Sequence, residues 1–154
     1  MTVDERLAQL GLSLPAPGTA AGSYCTAVRT GEYVSLSGTG SPALDGIPVS
    51  GRIGQDISVA QGYQLARGAA LQLLATLREH LGALDGVRRC VRMTVYVNCE
   101  AGFTSHSAVA DGATDLLVEV FGDEGRPARA TVGVGSLPFG IPVEIDLTVY
   151  VPEV

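Results

Sequence analysis

The chain has 154 residues, is 46% hydrophobic and 17% charged, and carries a formal net charge of −6. A chain of that length forms one domain with its own core, needing neither metal nor disulfide staples, and that composition excludes a disordered polymer. All ten basic residues are arginine, which excludes a Schiff-base lysine, covalently held pyridoxal phosphate and a phosphate-loop lysine.

The acidic balance argues against a nucleic-acid partner, because binding to a phosphate backbone draws on a basic footprint. Cys25, Cys90 and Cys99 show no CxxC spacing, and with only His80 and His106 beside them a zinc site is hard to assemble. An odd cysteine count without a secretory signal fits a reducing cytoplasm. Residues 1–14 carry Asp4, Glu5 and Arg6 and do not read as a signal peptide. No apolar run reaches the roughly 18 residues of a membrane span.

In chain order, residues 4–10 read as a short amphipathic helix with Leu7 and Leu10 inward, broken by Pro15, Pro17 and Gly18. Strands follow at Cys25–Arg29 and Tyr33–Ser37, joined by Thr30-Gly31-Glu32. Residues 39–56 are a Gly- and Pro-rich loop, with a short strand placed near Ile47–Val49. Ser58 and Gln61 form a capping box that opens the strongest helix. Ala66, Ala69, Ala70, Leu73, Leu74, Leu77 and Leu81 recur at helical spacing, and Gly82 is the stop.

The next strand is Arg89–Asn98, with Val91, Met93, Val95 and Val97 on one face and Cys90, Arg92, Thr94 and Tyr96 on the other. A second helix runs from Ser105 to Phe121, with Ala113, Leu116, Leu117, Val120 and Phe121 inward. Gly112 weakens that helix by about 1 kcal/mol relative to alanine. Strands at Ala130–Gly135 and Val143–Val151 close the chain. The order β-β-(β)-α-β-α-β-β lets two helices cover one face of a four- to six-stranded sheet. The other face is then solvated or buried against a partner, and the apolar composition favours the partner.

Gly38-Thr39-Gly40-Ser41-Pro42-Ala43 matches a dinucleotide-binding pattern by letters, but Pro42, Gly46 and Pro48 forbid the helix that must follow, so it reads as a turn. His106 with Asp111 or Asp115 invites a catalytic reading; its place at a helix start among serines suits a solvated residue equally. His80, in the last turn of its helix, suits the helix dipole. Neither serine nor cysteine has the context of a nucleophile elbow.

The last two strands carry the most chemistry. Alternation puts Arg129, Thr131 and Gly133 on one face, and Glu144, Asp146 and Thr148 on one face of the final strand. If the two strands are neighbours, Arg129 and Glu144 project to the same side. A guanidinium there grips a carboxylate bidentately, and a nearby carboxylate positions water or moves a proton. A structural Arg–Glu pair on a subunit-facing sheet is the plainer alternative.

Gly125-Arg126-Pro127-Ala128-Arg129-Ala130-Thr131-Val132-Gly133-Val134, then Leu137-Pro138 and Pro142-Val143-Glu144-Ile145, resembles the signature of the Rid/YjgF family, the reactive-intermediate deaminases also called endoribonuclease L-PSP. Val34-Ser35-Leu36-Ser37-Gly38, Gly54-Gln55-Asp56 with its following helix, and Val91-Arg92-Met93-Thr94-Val95-Tyr96-Val97 extend the likeness upstream, from Tyr24 to the end. The extended loop around 41–54 and the 118–125 stretch differ from the best-known deaminases, so the sequence resembles a divergent branch of the family.

The resemblance implies an α+β, chorismate-mutase-like fold: a six-stranded mixed sheet with two helices on one face, in a single domain over 1–154 whose residues 1–20 are an extension with a short helix. It implies a cytoplasmic homotrimer that binds small carboxylate-bearing ligands in clefts between subunits. The activity implied is hydrolysis of 2-imino acids or their enamine tautomers to 2-keto acids and ammonia, with no metal or organic cofactor. Arg129 matches the arginine that binds the substrate carboxylate, and Glu144 the glutamate that orients the attacking water. Ser37 and Gly38 match the strand end lining the cleft, and Tyr24 the tyrosine that reaches the ligand from its own strand start. Thr131 stands where many members have cysteine, and Asp111 or Gly112 lies near the family asparagine. A non-catalytic small-molecule sensor, and a tailoring enzyme acting on a larger imine, stay open. The acidic balance and the lack of a histidine base argue against ribonuclease activity.

Overall fold

Two capping boxes start the first two helices. Thr2 accepts from the Glu5 N–H and opens α1 (Val3–Gln9); Ser58 accepts from the Gln61 N–H and opens α2 (Val59–Leu81), which ends at Gly82. Between them lie β1 (Ala27–Thr30) and β2 (Tyr33–Thr39); after them come β3 (Arg89–Asn98), α3 (His106–Phe121), β4 (Ala128–Val134) and β5 (Val143–Tyr150). The computed structural model describes residues 1–153, so Val154, the last residue of the expected domain, lies outside the described residues.

The sheet order is β1-β2-β5-β3-β4. Only β3 and β4 run parallel among these neighbours, because α3 carries the chain back between them. Met93, Val95, Val97, Ile145, Leu147 and Val149 are at most 1% exposed and meet α2 and α3. Their alternating neighbours Thr94, Tyr96, Glu144, Asp146, Thr148 and Tyr150 are only half-buried. Among the described residues no helix covers that second face.

The sheet has five strands where six were expected. Ile47–Val49 forms no strand. Pro48 has no N–H to give a ladder. Further along the loop, the Gly51 N–H donates to the Gly140 carbonyl and the Ile53 N–H to the Asn98 carbonyl. The loop thus meets the end of β3 through a single isolated bridge, Ile53 to Cys99. Ile53 and Ile57 instead plug the core. The faces expected for β3 also change at its start. A bulge between Cys90 and Arg92 adds one residue, so Cys90 is buried at 1% and Val91 is half-buried.

Gly112 is where α2 and α3 press closest. A Cβ there would collide with the Tyr63 carbonyl, so the glycine that weakens α3 permits the helix contact. The N-terminal extension is tied down. Leu7 is buried, Arg6 Nε donates to the Glu119 carbonyl at 2.8 Å, and Gln72 Nε2 donates to the Ala16 carbonyl at 2.8 Å.

Candidate functional site

β4 presents Arg129 opposite Met93 and Thr131 opposite Val95, so both side chains face α3. The Arg129 guanidinium reaches that helix with both terminal nitrogens. Nη1 donates to Asp111 Oδ1 at 2.9 Å and to Thr114 Oγ1 at 3.0 Å, and Nη2 donates to Ser107 Oγ at 2.8 Å. Its side chain is 19% exposed, against 50% for Asp111. Arg129, Asp111, Asp115 and Arg126 line an open cleft of about 260 Å³ at the sheet edge. The Tyr63 hydroxyl donates to Asp115 at 2.7 Å, and that hydrogen bond, with burial, raises the tyrosine's pKa.

Glu144 lies on the other face. It pairs in register with Tyr96, and its carboxyl lies over Gly38, where a Cβ would come within 3.1 Å of Glu144 Cδ. Burial, then the charge of Asp146, raises its carboxyl above the ordinary carboxylate value. Ser37 Oγ donates to the Cys25 carbonyl at 2.6 Å, and the Tyr24 hydroxyl accepts from the Ala21 N–H at 3.0 Å. Tyr24, Ser37 and Gly38 share a small recess with Thr19 and Thr76.

The expectation that Arg129 and Glu144 project to one side is therefore overturned. β3 lies between β4 and β5, and the parallel register turns Arg129 toward the helices while Glu144 points away from them. Within one chain the seven expected site residues form two groups: Arg129, Asp111 and Thr131 against α3, and Glu144 over Gly38 on the uncovered face, with Ser37 and Tyr24 adjoining Gly38 in a recess that α2 also lines. The dinucleotide-like stretch 38–43 leads into coil and turn, as the prolines dictate.

One pair escaped the sequence reading. His106 Nε2 lies 3.7 Å from Cys99 Sγ, a juxtaposition made across the turn that enters α3. A spacing of seven residues over a turn carries no signal of contact. Among the described residues no three His, Cys, Asp or Glu side chains gather as a metal-binding cluster, and no helix is long and apolar enough to cross a membrane.

The sequence profile of the family described as "YjgF/chorismate mutase-like, putative endoribonuclease" matches residues 4–146. The chain belongs to the YjgF/Rid family. Protein TCP17 of Trypanosoma cruzi is 41% identical over 148 residues, covering 96% of this chain and 92% of its own. The crystal structure of Atu1372 from Agrobacterium tumefaciens, a protein of unknown function, is 33% identical, with a TM-score of 0.87 over 99% of this chain and 93% of its own. RidA from the Antarctic bacterium Psychrobacter sp. PAMC 21119 is 27% identical, with a TM-score of 0.58 over 88% of this chain and 94% of its own. This YjgF/Rid chain thus has the family's chorismate-mutase-like fold, and it superposes more closely on Atu1372 than on that RidA.

Proposed function

We propose that this YjgF/Rid chain hydrolyses small carboxylate-bearing imines, or their enamine tautomers, to carbonyl compounds and ammonia, in clefts between the subunits of a homotrimer. The split site carries this reading. The Arg129 group holds an anion anchor without the glutamate, and the Glu144 group holds the glutamate without an arginine. They lie on opposite faces of one sheet, so a single chain does not bring them together. A cyclic arrangement laying the β4 edge of one copy over the uncovered face of the next would unite them. Half-exposed Val28, Tyr33 and Val132 supply apolar surface for that contact.

Arg129 would grip the substrate carboxylate. A guanidinium has five N–H donors, and the bonds to α3 occupy three of them. The remaining two point to a charge-assisted grip on an incoming carboxylate. Glu144, whose carboxyl is raised above the ordinary carboxylate value by burial and then by the charge of Asp146, would protonate the imine nitrogen and then take a proton from the attacking water. Water adds to the imine carbon, and the C=N electron pair moves to nitrogen. The carbinolamine collapses as its hydroxyl proton passes by way of Glu144 to nitrogen, the C=O bond forms, the C–N bond breaks and ammonia leaves. Positioning of this kind lowers a barrier by several kcal/mol without a strong nucleophile. Neither cleft carries a histidine on its walls.

A second reading, a small-molecule-binding trimer without turnover, draws on one observation: Asp111 already occupies part of the Arg129 guanidinium. A coupled assay separates the two. An amino-acid oxidase supplies 2-imino acids and semicarbazide traps what survives. The deaminase reading expects wild type to lower the trapped signal and Arg129→Ala to restore it. If neither protein changes the signal across a series of amino acids, the binding reading replaces it.

A further inference from the structure

We propose that Cys99 and His106 form a reactive thiol–imidazole pair that adds to small soft electrophiles, such as activated alkenes, entering the cleft beside the C-terminal end of β4. The cleft is about 420 Å³ and open, and Cys99, His106, Phe103, Arg52 and Gly133 contribute to its walls. Cys99 is only 8% exposed and is among the residues lining that cleft. Its thiol meets the imidazole Nε2 at 3.7 Å, within reach for a hydrogen bond involving sulfur.

Three further observations show that the pair is held in place. The Phe103 ring packs edge-on against the His106 ring, with centroids 5.1 Å apart, and fixes its plane. The Cys99 N–H donates to the Val134 carbonyl, anchoring the cysteine backbone to the end of β4. Gly133 leaves the space the pair fills: a Cβ there would stand 2.5 Å from His106 Nε2 and 2.8 Å from Cys99 Sγ. Gly133 has no positive φ to require glycine, so the room it makes for these two side chains is its evident use.

The step balances without a co-reactant. Nε2 takes the Sγ proton, and the sulfur electron pair forms an S–C bond at the electron-poor alkene carbon. The displaced π electrons take a proton back from the imidazolium, and nothing is oxidised or reduced. This chemistry uses none of the residues assigned to imine hydrolysis, so it stands or falls separately.

The chain carries its own controls. Cys25 is an exposed thiol, and Cys90 is a buried one that burial pushes up to about 12. Native protein is treated with N-ethylmaleimide, and the rate at each cysteine is followed by peptide mass spectrometry. Cys99 is expected to react about tenfold or more faster than Cys25, with Cys90 unmodified until the chain unfolds. His106→Gln and Gly133→Ala are each expected to bring the Cys99 rate down to that of Cys25 or below, while the Cys25 rate stays unchanged. A Cys99 rate no higher than that of Cys25 in wild type, or one that survives both substitutions, overturns the proposal.

Discussion

The Arg129 guanidinium holds α3, and in the proposed function it also receives an anion. Removing it with Arg129→Ala breaks three hydrogen bonds, one of them to a carboxylate, so a stability loss of about 1.5–3 kcal/mol is expected alongside weaker ligand binding. Arg129→Lys keeps the charge but not the fork. It should recover part of the melting temperature while KM for a carboxylate substrate stays raised by about tenfold. Glu144→Gln should behave differently, lowering kcat by about 10²–10⁴ and leaving KM close to wild type. Steady-state kinetics paired with thermal melts check both. These residues were legible as chemistry because Arg and Glu stand among alternating apolar neighbours. Which way β4 turns was not legible. Its two faces read Ala130, Val132, Val134 and Arg129, Thr131, Gly133, so hydrophobicity marks the wrong one as the core side, and β3 corrects it only once the register is known.

The packing of α2 against α3 decides the core. Gly112→Ala should gain about 1 kcal/mol of helix propensity locally. The collision with the Tyr63 carbonyl outweighs it, and a net loss of about 1–3 kcal/mol is expected, visible as a melting temperature lower by several degrees. Beside that contact, Arg67 grips Glu119 bidentately at 3.2 and 2.8 Å, and this hydrogen bonding holds the Glu119 carboxyl below its ordinary value. A carboxyl whose value falls on folding stabilises the fold above its unfolded value, and that contribution is lost as pH falls through the lowered one. Glu119→Gln should therefore lower stability at pH 7, and the difference should vanish in acid; because the side chain is 39% exposed, about 0.5–1 kcal/mol is the expected size. Elements with their own local signals were legible: the Ser58–Gln61 box, the Gly82 and Gly122 stops, and the alternation of β3 and β5. Where the loop over 39–56 docks was not, since its pairing depends on distant carbonyls at Asn98 and Gly140. The bulge that buries Cys90 was equally hidden, because one extra residue reverses a face without leaving a compositional mark.

On the scale of the molecule, one sheet face is covered by helices and the other is not. Val28 and Tyr33 are each 49% exposed, Val132 is 42% exposed and Phe139 is 86% exposed. Phe139 also has a φ of 59°, an uncommon conformation for a bulky side chain and a sign of stored strain in the loop before β5. The proposed trimer would cover this apolar surface and bring the two site groups together, so light scattering should give three times the mass of the chain. The sharpest test couples assembly to chemistry. Arg129→Ala and Glu144→Ala chains, each inactive alone, are co-expressed in equal amounts and assayed for 2-imino acid hydrolysis. Random assembly places an intact Arg129 group against an intact Glu144 group in about a quarter of the clefts, so about a quarter of wild-type activity is predicted. A mixture as inactive as its two parents would contradict a site shared between subunits.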